Sequence, residues 1–174
     1  MSLLTRILGG PDRTRLQPLY TALVEIGRDP AWYREGQVPD TLNGRFDMIA
    51  AVLALVLIRL DREEARELRS ASALLTELFV EDMDGSLRQI GIGDLVVGKH
   101  MGRIMGALGG RLGAFRPAST DAAAMRIAVD RNIFHEAAPS AQAVDYVAER
   151  LARFAAGLDG APASALLAGE VPRP

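Results

Sequence analysis

Apolar residues recur along most of this 174-residue chain at the three- and four-residue spacing of an α-helix. The first such run contains Leu16, Leu19, Leu23 and Ile26, and Gly27 follows it. Side chains at this spacing lie on one face of a helix, and a glycine commonly follows the last turn. The pattern therefore predicts a first helix over about residues 13–26.

The longest apolar stretch, Met48 to Ile58, predicts a helix at the centre of the molecule. Asp40 or Thr41 is expected to cap its start, and the helix should run to about Leu60. A helix that is apolar nearly all round is typical of a position that is buried on every side. Because a bilayer span needs about 20 apolar residues, we interpret this shorter stretch as core.

The same periodicity predicts four further helices, over about residues 64–83, 94–115, 120–133 and 140–157. We therefore expect an all-α, single-domain bundle of about six to seven helices around a buried central helix. Residues 1–11 are expected to lead into a domain over residues 12–158. Residues 159–174, which are rich in Ala, Pro and Gly, are expected to form a flexible tail.

Composition and charge narrow the function classes. Twenty basic residues oppose 22 acidic ones, and the formal net charge of -2 argues against general binding to nucleic acid, which usually needs a basic domain. The absence of cysteine excludes disulfides and thiol catalysis. His100 and His135 are the only histidines, and neither has a second histidine at metal-ligand spacing. We interpret both as structural and expect no metal or other cofactor.

The densest polar cluster consists of Glu81, Asp82 and Asp84. Adjacent carboxylates in an all-helical protein can hold Mg²⁺ for chemistry on isoprenoid diphosphates, but that chemistry normally requires a second acidic motif on a facing helix. Asp94 is the nearest candidate, and it is better explained as a helix cap. A solvated helix end is the simpler interpretation of the cluster.

Charge is distributed unevenly on the two sides of this cluster. Residues 61–84 contain eight acidic and three basic residues, a net charge of -5, whereas residues 85–117 contain five basic and one acidic residue, a net charge of +4. Helices of opposite charge can attract each other within the bundle, or they can border a polar groove that a partner recognises. The sequence leaves both interpretations open.

Three sequence blocks resemble segments of a known family. The first is Val38-Pro39-Asp40-Thr41 followed by Gly44-Arg45-Phe46-Asp47. The second comprises Phe79-Val80-Glu81-Asp82-Met83-Asp84, Leu87-Arg88, Gly91-Ile92-Gly93-Asp94, Val97, Lys99 and Met101, and the third is Gly110-Arg111 with Phe115. In this order and spacing, over about residues 12–155, they resemble the ubiquinol–cytochrome c chaperone family in its compact bacterial form.

The resemblance implies an assembly factor for the cytochrome bc1 (ubiquinol–cytochrome c reductase) complex that binds newly made cytochrome b. Mitochondrial relatives act with a small partner protein at the ribosomal exit tunnel, so the ribosome exit region is a further candidate partner. No catalytic residue is carried over, because none is known for the family, and the chain is expected not to be an enzyme. The alternatives are a Mg²⁺-dependent enzyme of isoprenoid diphosphates and a generic protein-interaction module.

The apolar run at residues 1–8 is too short for a signal peptide and no apolar stretch reaches membrane-spanning length, so we expect neither a secretory leader nor a membrane span. We therefore expect a cytoplasmic protein that is partly peripheral at the inner face of the membrane, where it is held by its client.

The helix ends within the family blocks are the predicted binding site, because helix ends offer unpaired backbone groups as well as charges. Methionines adapt to apolar partners, so Met101, Met105 and Met125 are candidates to line a groove, although we favour ordinary core packing for them. The predicted partner-binding residues are Asp40, Thr41, Gly44, Arg45, Glu81, Asp82, Asp84, Arg88, Gly91, Gly93, Asp94 and Lys99.

Overall fold

The computed structural model describes residues 13–89, 97–135 and 137–174, apart from the side chains of Leu87, Gln89 and residues 97–101. Within these ranges the chain forms helices and no strand, which confirms the predicted all-α bundle. In chain order the helices are α1 (Arg13–Gly27), α2 (Pro30–Arg34), α3 (Leu42–Leu60), α4 (Arg66–Gln89), α5 (Val97–Ala118), α6 (Ala122–Ile133), α7 (Ala141–Gly160) and α8 (Ala163–Leu167).

Helix α3 lies at the centre of the bundle, as its apolar sequence predicts. Every residue from Asp47 to Ile58 is buried, and the helix packs against α1, α4, α5, α6 and α7. Its N-cap is Thr41, whose side-chain oxygen accepts a hydrogen bond from the backbone N–H of Gly44 at 3.1 Å. None of the helices in the described ranges is long and apolar enough to span a bilayer.

The end of α1 lies directly against α3 at a glycine. A Cβ atom on Gly27 would lie 2.8 Å from Ile49 Cγ1 and 2.9 Å from Ile49 Cα, closer than two carbon atoms normally pack. The missing side chain therefore lets the two helices touch. This contact brings Arg28, the next residue, to the same edge of the bundle as the first turns of α3.

Two helices continue past the points where the sequence predicts their ends. Helix α4 extends beyond Met83, which is buried at 6% exposure and packs in the core. Helix α7 extends beyond Gly157 because Leu158 is buried and its carbonyl oxygen accepts a hydrogen bond from Arg59 Nε at 2.9 Å. In α7, burial of the next apolar side chain outweighs the weak stop signal of Gly157.

The start of α6 also differs from the prediction. The carboxylate of Asp121 accepts a hydrogen bond from the backbone N–H of Ala124 at 2.9 Å, so Asp121 is the N-cap and the helix begins at Ala122 rather than at about residue 120. The Ser119 hydroxyl instead donates to the carbonyl oxygen of Arg116 at 2.9 Å, at the end of the preceding helix.

The C-terminal segment, predicted to be a flexible tail, packs against the bundle. Helix α8 lies against α1, and Leu166 is fully buried. Gly169 has a φ of 89°, the left-handed conformation that ends α8 and turns the chain beside Pro18. Further on, Arg173 Nη2 lies 3.3 Å from Glu25 Oε2. The Ala- and Pro-rich composition was therefore misleading, because a few well-placed apolar contacts are enough to hold so short a segment.

We expect Leu166→Ala to lower the free energy of unfolding by about 2–4 kcal/mol, because truncating a fully buried leucine leaves a cavity. Urea denaturation followed by circular dichroism measures the change. Ile127→Ala is the matched control, because Ile127 is 53% exposed and its truncation should change stability by no more than about 0.5 kcal/mol. A loss below about 1 kcal/mol at Leu166 would contradict the packed position of the segment.

Candidate functional site

Residues of the first family block build the entry to α3. Thr41 caps the helix, and the chain before it runs so close that a Cβ atom on Gly44 would lie 2.0 Å from the carbonyl oxygen of Pro39. Val38 is buried and anchors the same segment. The observed contacts of Thr41 and Gly44 are therefore within the chain, and their role in binding a partner stays a prediction.

Asp40 and Arg45 form an ion pair at this entry. Arg45 Nε donates to Asp40 Oδ1 at 2.7 Å, and the guanidinium carbon lies 5.7 Å from the centre of the Tyr33 ring. The hydrogen bond lowers the pKa of the Asp40 carboxyl and raises the pKa of Arg45. Burial raises the pKa of Tyr33 to about 12, and its hydroxyl donates to the carbonyl oxygen of Gly27 at 2.6 Å. The pair thus lies at an exposed edge of the bundle, beside α2 and the end of α1.

Asp47 is buried in the core and forms an ion pair there with Arg111. Arg111 of α5 donates from Nη2 to Asp47 Oδ1, and each side chain is 7% exposed. The same guanidinium donates to the carbonyl oxygens of Ala107 at 3.1 Å and Asn132 at 3.0 Å, and burial lowers the pKa of Arg111. His135 Nε2 lies 3.1 Å from Asp47 Oδ2. These contacts tie α3 to α5 and to the residues at the end of α6.

The buried pair also positions an aromatic ring. The guanidinium carbon of Arg111 lies 5.5 Å from the centre of the Phe46 ring. The Phe46 ring in turn packs against Phe79 of α4, with 5.6 Å between the ring centres. Phe46 is therefore held from two sides at the point where α3 emerges from the core.

A groove with a volume of about 410 Å³ opens beside Phe46, between the start of α3, the end of α4 and α5; we call it the α3–α5 groove. Leu42, 45% exposed, stands at its edge, and Arg28, Arg45 and Arg103 border it. None of the described residues that line it is acidic. Its apolar lining consists of Leu42, Phe46, Ile49, Met83, Ile104 and Ala107.

The acidic residues Glu81 and Asp82 face α1 rather than this groove. Arg13 Nη2 donates to Glu81 Oε1 at 2.6 Å, and the Tyr20 hydroxyl donates to Asp82 Oδ2 at 2.8 Å. Burial and this hydrogen bond raise the pKa of Tyr20. Both acids border a second, shallower groove, the acidic groove, whose four carboxylates are Glu25, Asp29, Glu81 and Asp82 and which shares Arg28 with the first groove.

Of the predicted binding residues that the structure describes, Arg45 borders the α3–α5 groove, whereas Glu81 and Asp82 border the acidic groove. Asp84 accepts a hydrogen bond from Arg88 Nε at 2.8 Å, one turn along α4. Among the described residues, no three His, Asp or Glu side chains are grouped so that they could hold a metal ion. Gly91, Gly93 and Asp94 lie outside the described residues, as does the side chain of Lys99.

Of the two interpretations of the methionines, core packing holds for Met125, and groove lining holds for neither Met105 nor Met125. Met125 is fully buried in the core, and Met105 is 45% exposed without lining the α3–α5 groove. The side chain of Met101 lies outside the described residues. Among the described residues, Met83 is the methionine that lines the groove, and the sequence places it between two acidic residues.

A family model described as ubiquinol-cytochrome C chaperone matches residues 34–173. The chain belongs to this family. The resemblance predicted from the three blocks is confirmed, and with it the role of an assembly chaperone for the cytochrome bc1 complex. Family membership implies a protein that is not an enzyme, and neither alternative function is supported. Because the match extends through α8, the packed C-terminal segment is part of the chaperone's family region.

A solved structure shares the fold of the chaperone over nearly its whole length. The crystal structure of the Cbp3 homolog from Brucella abortus superposes with a TM-score of 0.82 at 29% sequence identity. The alignment covers 98% of this chain and 94% of that chain. No curated protein sequence matches the chaperone.

Sequence reasoning missed Arg28, Leu42 and Arg103, which border the α3–α5 groove. The arginines come from α5 and from the residue after α1, so only the tertiary fold brings them together. Leu42 did carry a signal, because it is an apolar residue directly after the N-cap, where the first turn of a helix is usually exposed.

The contacts of the acidic residues predict different costs for two neighbouring substitutions in the chaperone. Asp82→Ala removes the partner of the buried Tyr20 hydroxyl and should lower the free energy of unfolding by about 1–3 kcal/mol. Asp84→Ala removes only a surface ion pair and should cost about 0–1 kcal/mol. Chemical denaturation of the two variants measures both values. Equal, small costs would mean that Asp82 is not part of the scaffold.

Proposed function

We propose that the chaperone holds an apolar segment of newly made cytochrome b in the α3–α5 groove. The observation that carries the proposal is the apolar lining of this groove, with the half-exposed Leu42 at its edge, in a chain of the ubiquinol-cytochrome C chaperone family. Isolated exposed apolar side chains are common, but an exposed leucine that borders an apolar concavity is typical of a binding site.

The chemistry of the client supports the same placement. A membrane protein carries apolar stretches of about 20 residues, and before insertion these stretches are exposed to water. A groove of about 410 Å³ accommodates a few side chains of such a stretch rather than all of it. The chaperone would therefore hold a short portion of the client, as a helix laid into a groove is held by a few anchor side chains.

The location that follows is cytoplasmic, with part of the protein peripheral at the inner face of the membrane through its client. Cell fractionation with a carbonate wash checks this point, since a protein held only through its client should be released by the wash. Chaperone that stays in the washed membranes would contradict it.

The apolar contact can be tested without changing any charge. The variant Leu42→Gln is expressed in place of the native protein. We expect the amount of cytochrome b that co-purifies with the chaperone to fall about tenfold, and the amount of assembled bc1 complex to fall as well. Burying the rest of a half-exposed leucine contributes up to about 1.5 kcal/mol, which corresponds to roughly tenfold in affinity.

Ile127→Gln is the matched control, because Ile127 is also exposed but lies on α6, outside both grooves. Both variants should keep the native stability within about 0.5 kcal/mol. Full co-purification of cytochrome b with the Leu42 variant, or an equal loss with both variants, would remove the α3–α5 groove from the client site.

A further inference from the structure

We infer that the client segment in the α3–α5 groove carries an acidic side chain beside its apolar stretch, and that Arg28 and Arg103 recognise it. This inference rests on the proposed function, because it concerns the same groove and the same client. It adds the charge of the segment and the residues that select for that charge.

The charges around the groove are unbalanced. Three arginines line it, and no described lining residue is acidic. Arg45 is engaged by Asp40 at 2.7 Å. Arg28 and Arg103 are both exposed, and neither guanidinium makes a hydrogen bond or ion pair with any residue that the structure describes. Within this groove, two positive charges therefore have no carboxylate partner among the described residues.

Such an arrangement favours a ligand that carries an anionic group next to apolar side chains. A guanidinium pairs well with a carboxylate, because its fork of N–H donors matches the two oxygen atoms. The attraction is also stronger at the rim of an apolar groove than on an open surface, since fewer water molecules screen it. A segment with a basic flank would instead be repelled from this rim.

The neighbouring acidic groove favours a single segment over a charged membrane surface. Arg28 borders both grooves, and the acidic groove presents Glu25, Asp29, Glu81 and Asp82. A flat anionic bilayer that reached Arg28 would also meet these carboxylates, whereas one segment in the α3–α5 groove avoids them. The net charge of -2 adds to this repulsion. We therefore assign the arginines to the client and treat anionic lipid as an outcome of the test.

The test uses three fluorescein-labelled helical peptides with one apolar leucine–alanine sequence and two Glu, two Gln or two Lys at the same end. Fluorescence anisotropy with the full chain should give about tenfold tighter binding of the Glu peptide than of the Gln peptide, since two exposed ion pairs contribute roughly that factor. The Lys peptide should bind weakest. Added salt should reduce the differences.

Arg28→Gln with Arg103→Gln should abolish the preference for the Glu peptide and leave binding of the Gln peptide nearly unchanged. The matched control is Arg131→Gln with Arg153→Gln, which removes two exposed arginines outside the α3–α5 groove and has the same net charge. This control should keep the preference. Equal binding of the Glu and Gln peptides, or a preference that survives loss of Arg28 and Arg103, would overturn the inference.

Two further arms separate the remaining outcomes. If vesicles of phosphatidylglycerol and phosphatidylcholine bind through Arg28 and Arg103 while the peptides show no charge preference, the arginines serve a membrane and the inference is wrong. If Leu42→Gln weakens all three peptides but no charge preference exists, only this inference fails. If none of the peptides binds and Leu42→Gln leaves cytochrome b capture intact, the proposed client site fails as well.

Discussion

The whole structure depends on the burial of α3 on all sides. A helix without a polar face is stable only when other helices surround it, so α1, α4, α5, α6 and α7 each take part of its surface. The first turn of α3 cannot be enclosed in the same way, because the chain has to enter there. Leu42 and Phe46 consequently lie where the core meets solvent, and the α3–α5 groove forms at that point.

One buried ion pair fixes the walls of this groove. Asp47 follows Phe46 directly, and a lone carboxylate in the core would be strongly unfavourable. Arg111 of α5 neutralises the Asp47 carboxylate and also donates hydrogen bonds to two backbone carbonyl groups. The pair therefore holds α5 at a defined position along α3. A buried pair of this kind adds little net stability, but loss of one partner leaves an uncompensated charge. One member of the pair, Asp47, lies in the first family block, and the other, Arg111, lies in the third.

The sequence predicted the central helix and its cap because both signals are local. The apolar run of α3 and the position of Thr41 depend on neighbours within a few residues. The groove could not be predicted in the same way, since Arg28, Met83 and Arg103 come from distant parts of the chain. The C-terminal segment was misjudged for a related reason: its composition is that of a loose tail, and only the packing of Leu166 against the bundle reveals its order.

The most direct measurement is site-specific photo-cross-linking in growing cells. A photoreactive amino acid in place of Leu42 places the probe at the edge of the α3–α5 groove, and the same probe in place of Ile127 lies on α6. Newly made cytochrome b should cross-link to position 42 and not to position 127. Cross-links of equal yield at the two positions, or at position 127 alone, would contradict the placement of the client in this groove.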